Sequence, residues 1–279
     1  MMKYFTLLAI LFCTACTIPD KAQDPNLEMT EIVLFNDFER PPVGLYTLRS
    51  FSEDWNGSRW ELGIVDGRVS IVGGEEAFRG QSLRIAYPKG QSSFGKSGAS
   101  WQIPLHQSYE ELYCAYRIKF ASNFDFAQSG KIPGFIGGDG SMSGHRPKGD
   151  DGWSARMMWQ TNGEIAQHIY HLDQVDDFGE IFPWDVGGSR RFRTNVWHWV
   201  ENRVVMNTPG KKNGLFQAWL DGDLALQIQN MSFRTIDSLG VEAFYFTTFF
   251  GDDVPSVGPS KDEAIYFDNL MIATAPITH

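Results

Sequence analysis

The chain is poor in cysteine and in positive charge. It has three cysteines among 279 residues, and Cys13 and Cys16 both lie within the first sixteen. Cys114 alone remains for the body of the protein, which excludes a scaffold built on disulfides. Lys and Arg number 24 against 34 Asp and Glu, a formal net charge of -10. We therefore expect no nucleic-acid partner, because such a partner requires a broad basic surface.

Long apolar runs are also missing, apart from one at the N-terminus. Met1–Lys3 is a short positive segment, and the apolar run Tyr4–Phe12 is too short for a permanent transmembrane helix. A signal peptide of the lipoprotein type is predicted over residues 1–16, with lipidation of Cys16 and a flexible tether over residues 17–30. A plain secretory signal is the alternative. Either signal predicts an extracytoplasmic protein, anchored to a bacterial membrane (outer membrane or periplasm) only through its lipid, or else secreted.

The rest of the chain has the pattern of a β-rich domain. Glycine (28 residues) and aromatic residues (14%) are abundant, and short β-branched and aromatic runs alternate with turn residues. In Leu112–Phe120, apolar residues occupy the even positions while Arg117 and Lys119 face the other way, as in antiparallel sheets with one solvated face. Residues 31–279 are therefore predicted to form one all-β domain, an antiparallel β-sandwich of the jelly-roll type with a concave groove.

Three short segments in the central third carry side chains suited to chemistry. Lys131 is predicted to lie in a Gly/Pro-rich turn after the strand Leu112–Phe120, which fixes its backbone and leaves its ammonium group free to project. Ser154 and Arg156 share one face of a predicted strand, and His168 and Tyr170 share one face of the next. A cation, a guanidinium group, an imidazole and a phenol together can bind an acidic group and move protons.

The turn between the last two segments decides whether these side chains meet. A two-residue loop would place His168 and Tyr170 on the face opposite Arg156. A three-residue loop over Thr161–Gly163, with its glycine in the left-handed conformation, pairs Arg156 with His168 and Ser154 with Tyr170. We predict the second register, because the first would scatter the polar groups over both faces and bury some without partners.

These segments resemble a known family. Ser129–Gly138 reads Ser-Gly-Lys-Ile-Pro-Gly-Phe-Ile-Gly-Gly, which is similar to the Gly-Gly-Lys-Leu-Pro-Gly-Leu-Tyr-Gly-Gly signature of polysaccharide lyase family 14. That family has a β-jelly-roll fold and acts on alginate and glucuronan. Ser154, Arg156 and Tyr170 follow the family pattern in order and spacing, and the resemblance extends over about residues 35–272.

The resemblance implies β-elimination on an acidic polysaccharide, with no cofactor required for catalysis. Its catalytic residues would be Lys131, Ser154, Arg156 and Tyr170, while the first of the family's two tyrosines is replaced here by His168. Arg156 would neutralise the uronate carboxylate, and Ser154 would add a hydrogen-bond donor. Tyr170 and His168 would share the proton transfers, and Lys131 would supply positive charge.

Further residues are assigned to binding. The predicted substrate-binding residues are basic or aromatic: His145, Arg146, Lys148, Arg190, Arg191 and Trp153. The basic residues would attract a polyanion, or else serve solubility; Trp153 would stack on a sugar, or else belong to the core. Glu39 and Asp268 are predicted to hold a structural Ca²⁺ ion.

Two other functions fit the same fold. A glycoside hydrolase needs two carboxylates close together across one bond, and no such pair occupies alternate positions of a clear central strand. A non-catalytic carbohydrate-binding lipoprotein would keep the sandwich but would not need Lys131, Ser154, Arg156 and Tyr170 together.

Overall fold

A computed structural model describes residues 31–55, 57–140, 144–251 and 257–277. The predicted signal peptide, its Cys16 and the whole of the predicted tether lie outside these residues. Within the described ranges, no helix has the length and apolarity needed to cross a membrane.

Strands dominate the described part of the chain. One short helix, α1, spans Leu48–Asp54, and two 3₁₀ turns span Gly74–Glu76 and Thr161–Gly163. The strands are β1 Ile32–Asn36, β2 Gly44–Leu45, β3 Glu61–Leu62, β4 Val69–Gly73, β5 Gln81–Tyr87, β6 Ala99–Tyr109, β7 Glu111–Phe120, β8 Gly130–Gly138, β9 Gly152–Trp159, β10 Ile165–Tyr170, β11 Glu180–Pro183, β12 His198–Val205, β13 Gly214–Leu220, β14 Asp223–Met231, β15 Val241–Phe250 and β16 Glu263–Ala273.

The strands form two sheets that pack face to face. A nine-stranded sheet has the order β14-β13-β12-β7-β16-β5-β4-β2, with β1 paired to β16. A seven-stranded sheet has the order β11-β10-β9-β8-β15-β6-β3. All named strand pairs are antiparallel. The predicted all-β antiparallel sandwich is confirmed.

Aromatic rings fill the space between the sheets. Trp101 stacks on Phe246 with ring centroids 4.1 Å apart, and Trp159 meets Phe120 of the other sheet edge to face at 5.5 Å. Such pairs contribute about 0.5–1.5 kcal/mol each beyond the area that they bury. The first pair lies within the seven-stranded sheet and the second joins the two sheets, so aromatic packing supports the seven-stranded sheet from its core side.

Strand β9 shows how the alternation sorts its side chains. Trp153 and Trp159 point into the core between the sheets, while Ser154 and Arg156 point to the other face. The indole Nε1 of Trp153 donates to the carbonyl oxygen of Gly240 at 3.0 Å. The prediction that Trp153 stacks on a sugar is therefore wrong, because its position in the strand places it in the interior.

Candidate active site

The predicted catalytic side chains all belong to three adjacent strands of the seven-stranded sheet. Their face of that sheet, turned away from the sandwich core, is called the outer face below. Lys131 lies in β8 opposite Met158 and is buried, so the predicted turn is wrong: the Gly/Pro-rich residues pair as a strand between β9 and β15. Ser154 and Arg156 lie in β9. His168 and Tyr170 lie in β10.

The hairpin between β9 and β10 has the predicted register. Arg156 pairs with His168, and Ser154 pairs with Tyr170. The connection is the 3₁₀ turn Thr161–Gly163, in which the glycine has φ +75°. Asn162 also adopts a positive φ, 62°, which asparagine tolerates better than most residues. The turn thus brings the four polar side chains to one face.

Lys131 and His168 are hydrogen-bonded to each other. Nζ of Lys131 lies 2.9 Å from Nδ1 of His168, and Nε2 of His168 lies 2.6 Å from the carbonyl oxygen of Phe178. Because a carbonyl oxygen only accepts, Nε2 of the neutral imidazole carries the hydrogen and Nδ1 accepts from the lysine ammonium. The carbonyl of Phe178 therefore sets the tautomer of His168.

Tyr170 completes this group. Its ring meets the imidazole of His168 edge to face, with centroids 5.1 Å apart. Both side chains are buried, as is Lys131. A cationic amine, an imidazole and a phenol thus lie side by side, in the order needed for charge to influence proton transfer.

Arg156 faces a tyrosine that sequence reasoning missed. Its guanidinium carbon lies 5.5 Å from the ring centroid of Tyr245 in β15. Gly134 of β8 pairs with Arg156 of β9 on one side and with Tyr245 of β15 on the other. Because glycine has no side chain, nothing from β8 separates the guanidinium group from the tyrosine ring at this position. Alternation in β15, where Phe244 and Phe246 enter the core, could have placed Tyr245 on the outer face, but not beside Arg156.

Met158 was also missed. Its sulfur lies 3.9 Å from Nζ of Lys131 and 3.3 Å from Nε2 of Gln160. A thioether is a weak hydrogen-bond acceptor. Met158 therefore packs against the lysine ammonium group without adding a negative charge. Its place two residues after Arg156 on the same strand face was a signal available in the sequence.

A segment between β10 and β11 lies over the site. This covering segment, residues 171–179, provides the Phe178 carbonyl to His168. A Cβ atom on Gly179 would lie 2.9 Å from Nε2 of His168 and from two ring carbons of Tyr170. An exposed ion pair between Arg146 and Asp177, with 3.1 Å between Nε and Oδ1, ties the segment to the neighbouring loop. The covering segment therefore contributes to the burial of the predicted catalytic side chains.

The predicted basic residues lie on two separate parts of the surface. His145 and Lys148 are exposed beside Arg146, near the covering segment. Arg191 forms an ion pair with Glu164, and Arg190 donates to the carbonyl oxygen of Val186 at 3.1 Å. Those two arginines lie beside the start of β10, where Ile165 donates to the carbonyl of Arg190. Their predicted contact with substrate stays a prediction.

Glu39 affects the ionisation of Asp268. Burial, with the nearby negative charge of Glu39, raises the pKa of Asp268 to about 6. The Asp268 carboxylate accepts hydrogen bonds from Ser82 Oγ at 2.6 Å and Asn269 N at 2.7 Å. Across residues 31–277, gaps excepted, no group of three or more His, Cys, Asp or Glu side chains could hold a metal ion.

Comparison with known proteins gives one family. The family model described as Polysaccharide lyase 14 matches residues 75–270. The curated protein Exolysin from Paramecium bursaria Chlorella virus 1 is 28% identical in an alignment 224 residues long, which covers 70% of this chain and 33% of that protein. The chain thus spans about a third of the length of that relative.

Two solved structures have the same fold. The marine PL-14 alginate lyase from Aplysia kurodai superposes with a TM-score of 0.73 at 22% identity, covering 88% of this chain and 100% of its own. The alginate lyase Aly36B, a double mutant with one Lys and one Tyr replaced by Ala, was solved in complex with an alginate tetrasaccharide. It superposes with a TM-score of 0.74 at 25% identity, covering 88% of this chain and 98% of its own.

Proposed function

The chain belongs to the polysaccharide lyase 14 family, and from that premise we propose that it cleaves a uronate-containing polysaccharide by β-elimination. The substrate is alginate (including polymannuronate) or glucuronan. An alginate lyase 25% identical to this chain binds an alginate tetrasaccharide, which supports an acidic polysaccharide as substrate. The observation that carries the proposal is the convergence of Lys131, Arg156, His168 and Tyr170 on one sheet face.

The reaction breaks the bond between C4 of a uronate and the glycosidic oxygen. The proton on C5 leaves first or in concert, its electron pair forms the C4=C5 double bond, and the glycosidic oxygen departs with a proton. The C5 proton is weakly acidic, so the charge that spreads into the neighbouring carboxylate must be stabilised. A lyase therefore needs a fixed cation at that carboxylate and two proton transfers beside it.

Arg156 is assigned to the carboxylate. In the described part of the chain, its Nε atom is buried and has no hydrogen-bond partner, which leaves a donor for a substrate. The planar guanidinium can bind a carboxylate through two parallel hydrogen bonds. Ser154, the neighbour of Tyr170 across the hairpin, adds a hydroxyl donor to the same group.

Tyr170 and His168 together perform the two proton transfers. The positive charge of Lys131, which reaches His168 directly, favours the phenolate of Tyr170. A phenolate can take the C5 proton, and the resulting phenol or the imidazole can protonate the leaving oxygen. The reaction in this scheme uses no cofactor.

The substrate reaches these groups only after the covering segment moves. A Cβ atom on Gly179 would lie 2.9 Å from ring atoms of both His168 and Tyr170, and the carbonyl oxygen of Phe178 is hydrogen-bonded to Nε2 of His168. Tyr170 is fully buried, so a sugar cannot reach it while the segment is in this position. The proposal therefore includes opening of residues 171–179, which also releases the imidazole for proton transfer.

An absorbance assay tests the function. The protein is mixed with polymannuronate, polyguluronate and glucuronan in turn, and absorbance from the new C4=C5 double bond is followed. A rise on one polymer supports elimination and identifies the substrate. New reducing ends without absorbance would instead indicate hydrolysis, and binding without either product would indicate a carbohydrate-binding protein.

Two further parts of the proposal concern location and calcium. The protein is anchored outside the cytoplasm through lipidated Cys16, and replacing Cys16 by Ser should move it from the membrane fraction to the soluble one. Glu39 and Asp268 hold a structural Ca²⁺ ion together with backbone or water oxygens, since calcium takes six to eight oxygen ligands. Added Ca²⁺ should raise the melting temperature of wild type but not of Asp268→Asn; equal responses would contradict the site.

A further inference from the structure

A cavity of about 610 Å³ opens on the outer face beside β15, β6 and β3, whereas His168 lies in β10 toward the other edge of the same sheet. We propose that it is a distal subsite that holds another uronate residue of the same polysaccharide chain, with Trp60 under the sugar ring and Arg59 at its carboxylate. This inference rests on the proposed function, since it assumes a polyuronate substrate. The volume of the cavity lies within the roughly 300–1,000 Å³ that ligand pockets usually have.

One row of paired residues connects the catalytic side chains to this cavity. His168 pairs with Arg156, Arg156 with Gly134, Gly134 with Tyr245, and Tyr245 with Gln102. The row crosses five neighbouring strands, and four strand spacings amount to about 19 Å. Tyr245 and Gln102 both line the cavity. A polysaccharide lying across the strands would therefore span from the proton-transfer groups into the cavity.

The middle of this row carries no side chain that would project from the outer face. Gly134 has no side chain, and the Arg156 guanidinium lies toward the ring of Tyr245, 5.5 Å from its centroid. Tyr245 thus touches the catalytic group on one side and the cavity on the other. The two sites are parts of one groove, and a chain bound at Arg156 is directed toward Trp60.

Three aromatic rings shape the cavity. Trp60 meets Tyr245 edge to face at 5.8 Å and Phe94 at 6.0 Å between centroids. Trp60 is nevertheless 36% exposed and Phe94 45% exposed. Two edge contacts hold the indole in one orientation, so little side-chain entropy is lost when a ligand binds. An exposed indole fixed in this way presents an apolar face, which suits the C–H face of a pyranose ring.

The charges of the cavity orient the sugar. Arg59 is exposed at the wall, and its backbone N–H donates to the carbonyl of Gln102 at 3.1 Å, which anchors the segment to β6. Glu61 and Asp139 also line the cavity. The Glu61 carboxylate accepts from the backbone N–H of Ile64 at 3.0 Å. A uronate carboxylate therefore faces Arg59, because the two acidic groups repel it from the other walls.

The test compares Trp60→Ala with wild type on short and long oligosaccharides of whichever polyuronate the enzyme cleaves. We expect kcat/KM on the long substrates to fall about tenfold, mainly through KM, while the shortest cleaved substrates lose little. Trp60→Phe should restore most of the loss. Trp219→Ala, in β13 of the other sheet and also partly exposed, is the matched control and should behave as wild type.

Three results would overturn the subsite: equal losses on short and long substrates, no loss on either, or an equal length-dependent loss in Trp219→Ala. If Trp60→Ala does not fold, Arg59→Gln provides the decision, since an exposed arginine can be replaced without opening the core. It should weaken binding of long oligosaccharides several-fold, and unchanged binding contradicts the proposal. Absence of unsaturated products from wild type on all polyuronates would refute the proposed function itself, whereas activity without length-dependent loss refutes only the subsite.

Discussion

Removal of the hydroxyl oxygen from Tyr170 should lower the catalytic rate and leave the stability of the fold nearly unchanged. Tyr170→Phe deletes the hydroxyl and keeps the ring, which meets the imidazole of His168 with centroids 5.1 Å apart. Arg156 and Ser154, which are assigned to the carboxylate, are unchanged. We therefore expect KM to stay near the wild-type value while kcat falls.

The size of the fall follows from the role of the hydroxyl. A positioned acid or base contributes about 10²–10⁴-fold in rate, which corresponds to about 3–5 kcal/mol of activation free energy. The effect on stability should be far smaller, about 1 kcal/mol, since one buried hydroxyl is lost and no ring contact changes. The melting temperature should then shift by only a few degrees.

Initial rates of double-bond formation, measured at saturating polyuronate, give kcat for wild type and variant, and a thermal melt gives stability. Tyr113→Phe is the control, because it removes the same atom from a buried tyrosine on the other sheet, whose hydroxyl donates to Glu111 at 3.0 Å. That variant should retain wild-type kcat. A loss in Tyr170→Phe of less than tenfold, or an equal loss in Tyr113→Phe, would refute the assigned role.

Two other substitutions test the neighbouring groups. Arg156→Lys keeps the charge but loses the planar fork, so kcat/KM should fall at least tenfold; wild-type kinetics would show that a point charge suffices. Gly179→Ala places a methyl group 2.9 Å from atoms of His168 and Tyr170 and should change activity through displacement of the covering segment. Gly74→Ala is the control, because Gly74 has a similar backbone angle, φ +62° against +75°, and no atom lies within 4 Å of the added carbon. It carries the same backbone strain of about 1–2 kcal/mol and should leave activity intact. Equal activities of the two variants would exclude displacement of the covering segment as the cause.

Local pattern determined which side chains share a face. Alternation with period two put Ser154 and Arg156 on one side of β9, and the length of the Thr161–Gly163 turn determined the pairing with β10. Both depend on backbone geometry within a few residues, so they can be inferred without the rest of the fold. The same alternation placed Trp153 on the opposite face, in the core, and its assignment to the substrate departed from that rule.

Only the tertiary structure decided what lies around those side chains. Tyr245 comes next to Arg156 because β15 pairs with β8, although the two strands are separated by more than a hundred residues. Trp60 reaches the same groove because β3 pairs with β6 at the sheet edge. Long-range strand order depends on the joint packing of both sheets, which no local pattern contains. The chemistry could thus be inferred from neighbouring residues, whereas the extent of the groove and its cover depended on segments that are distant in the chain.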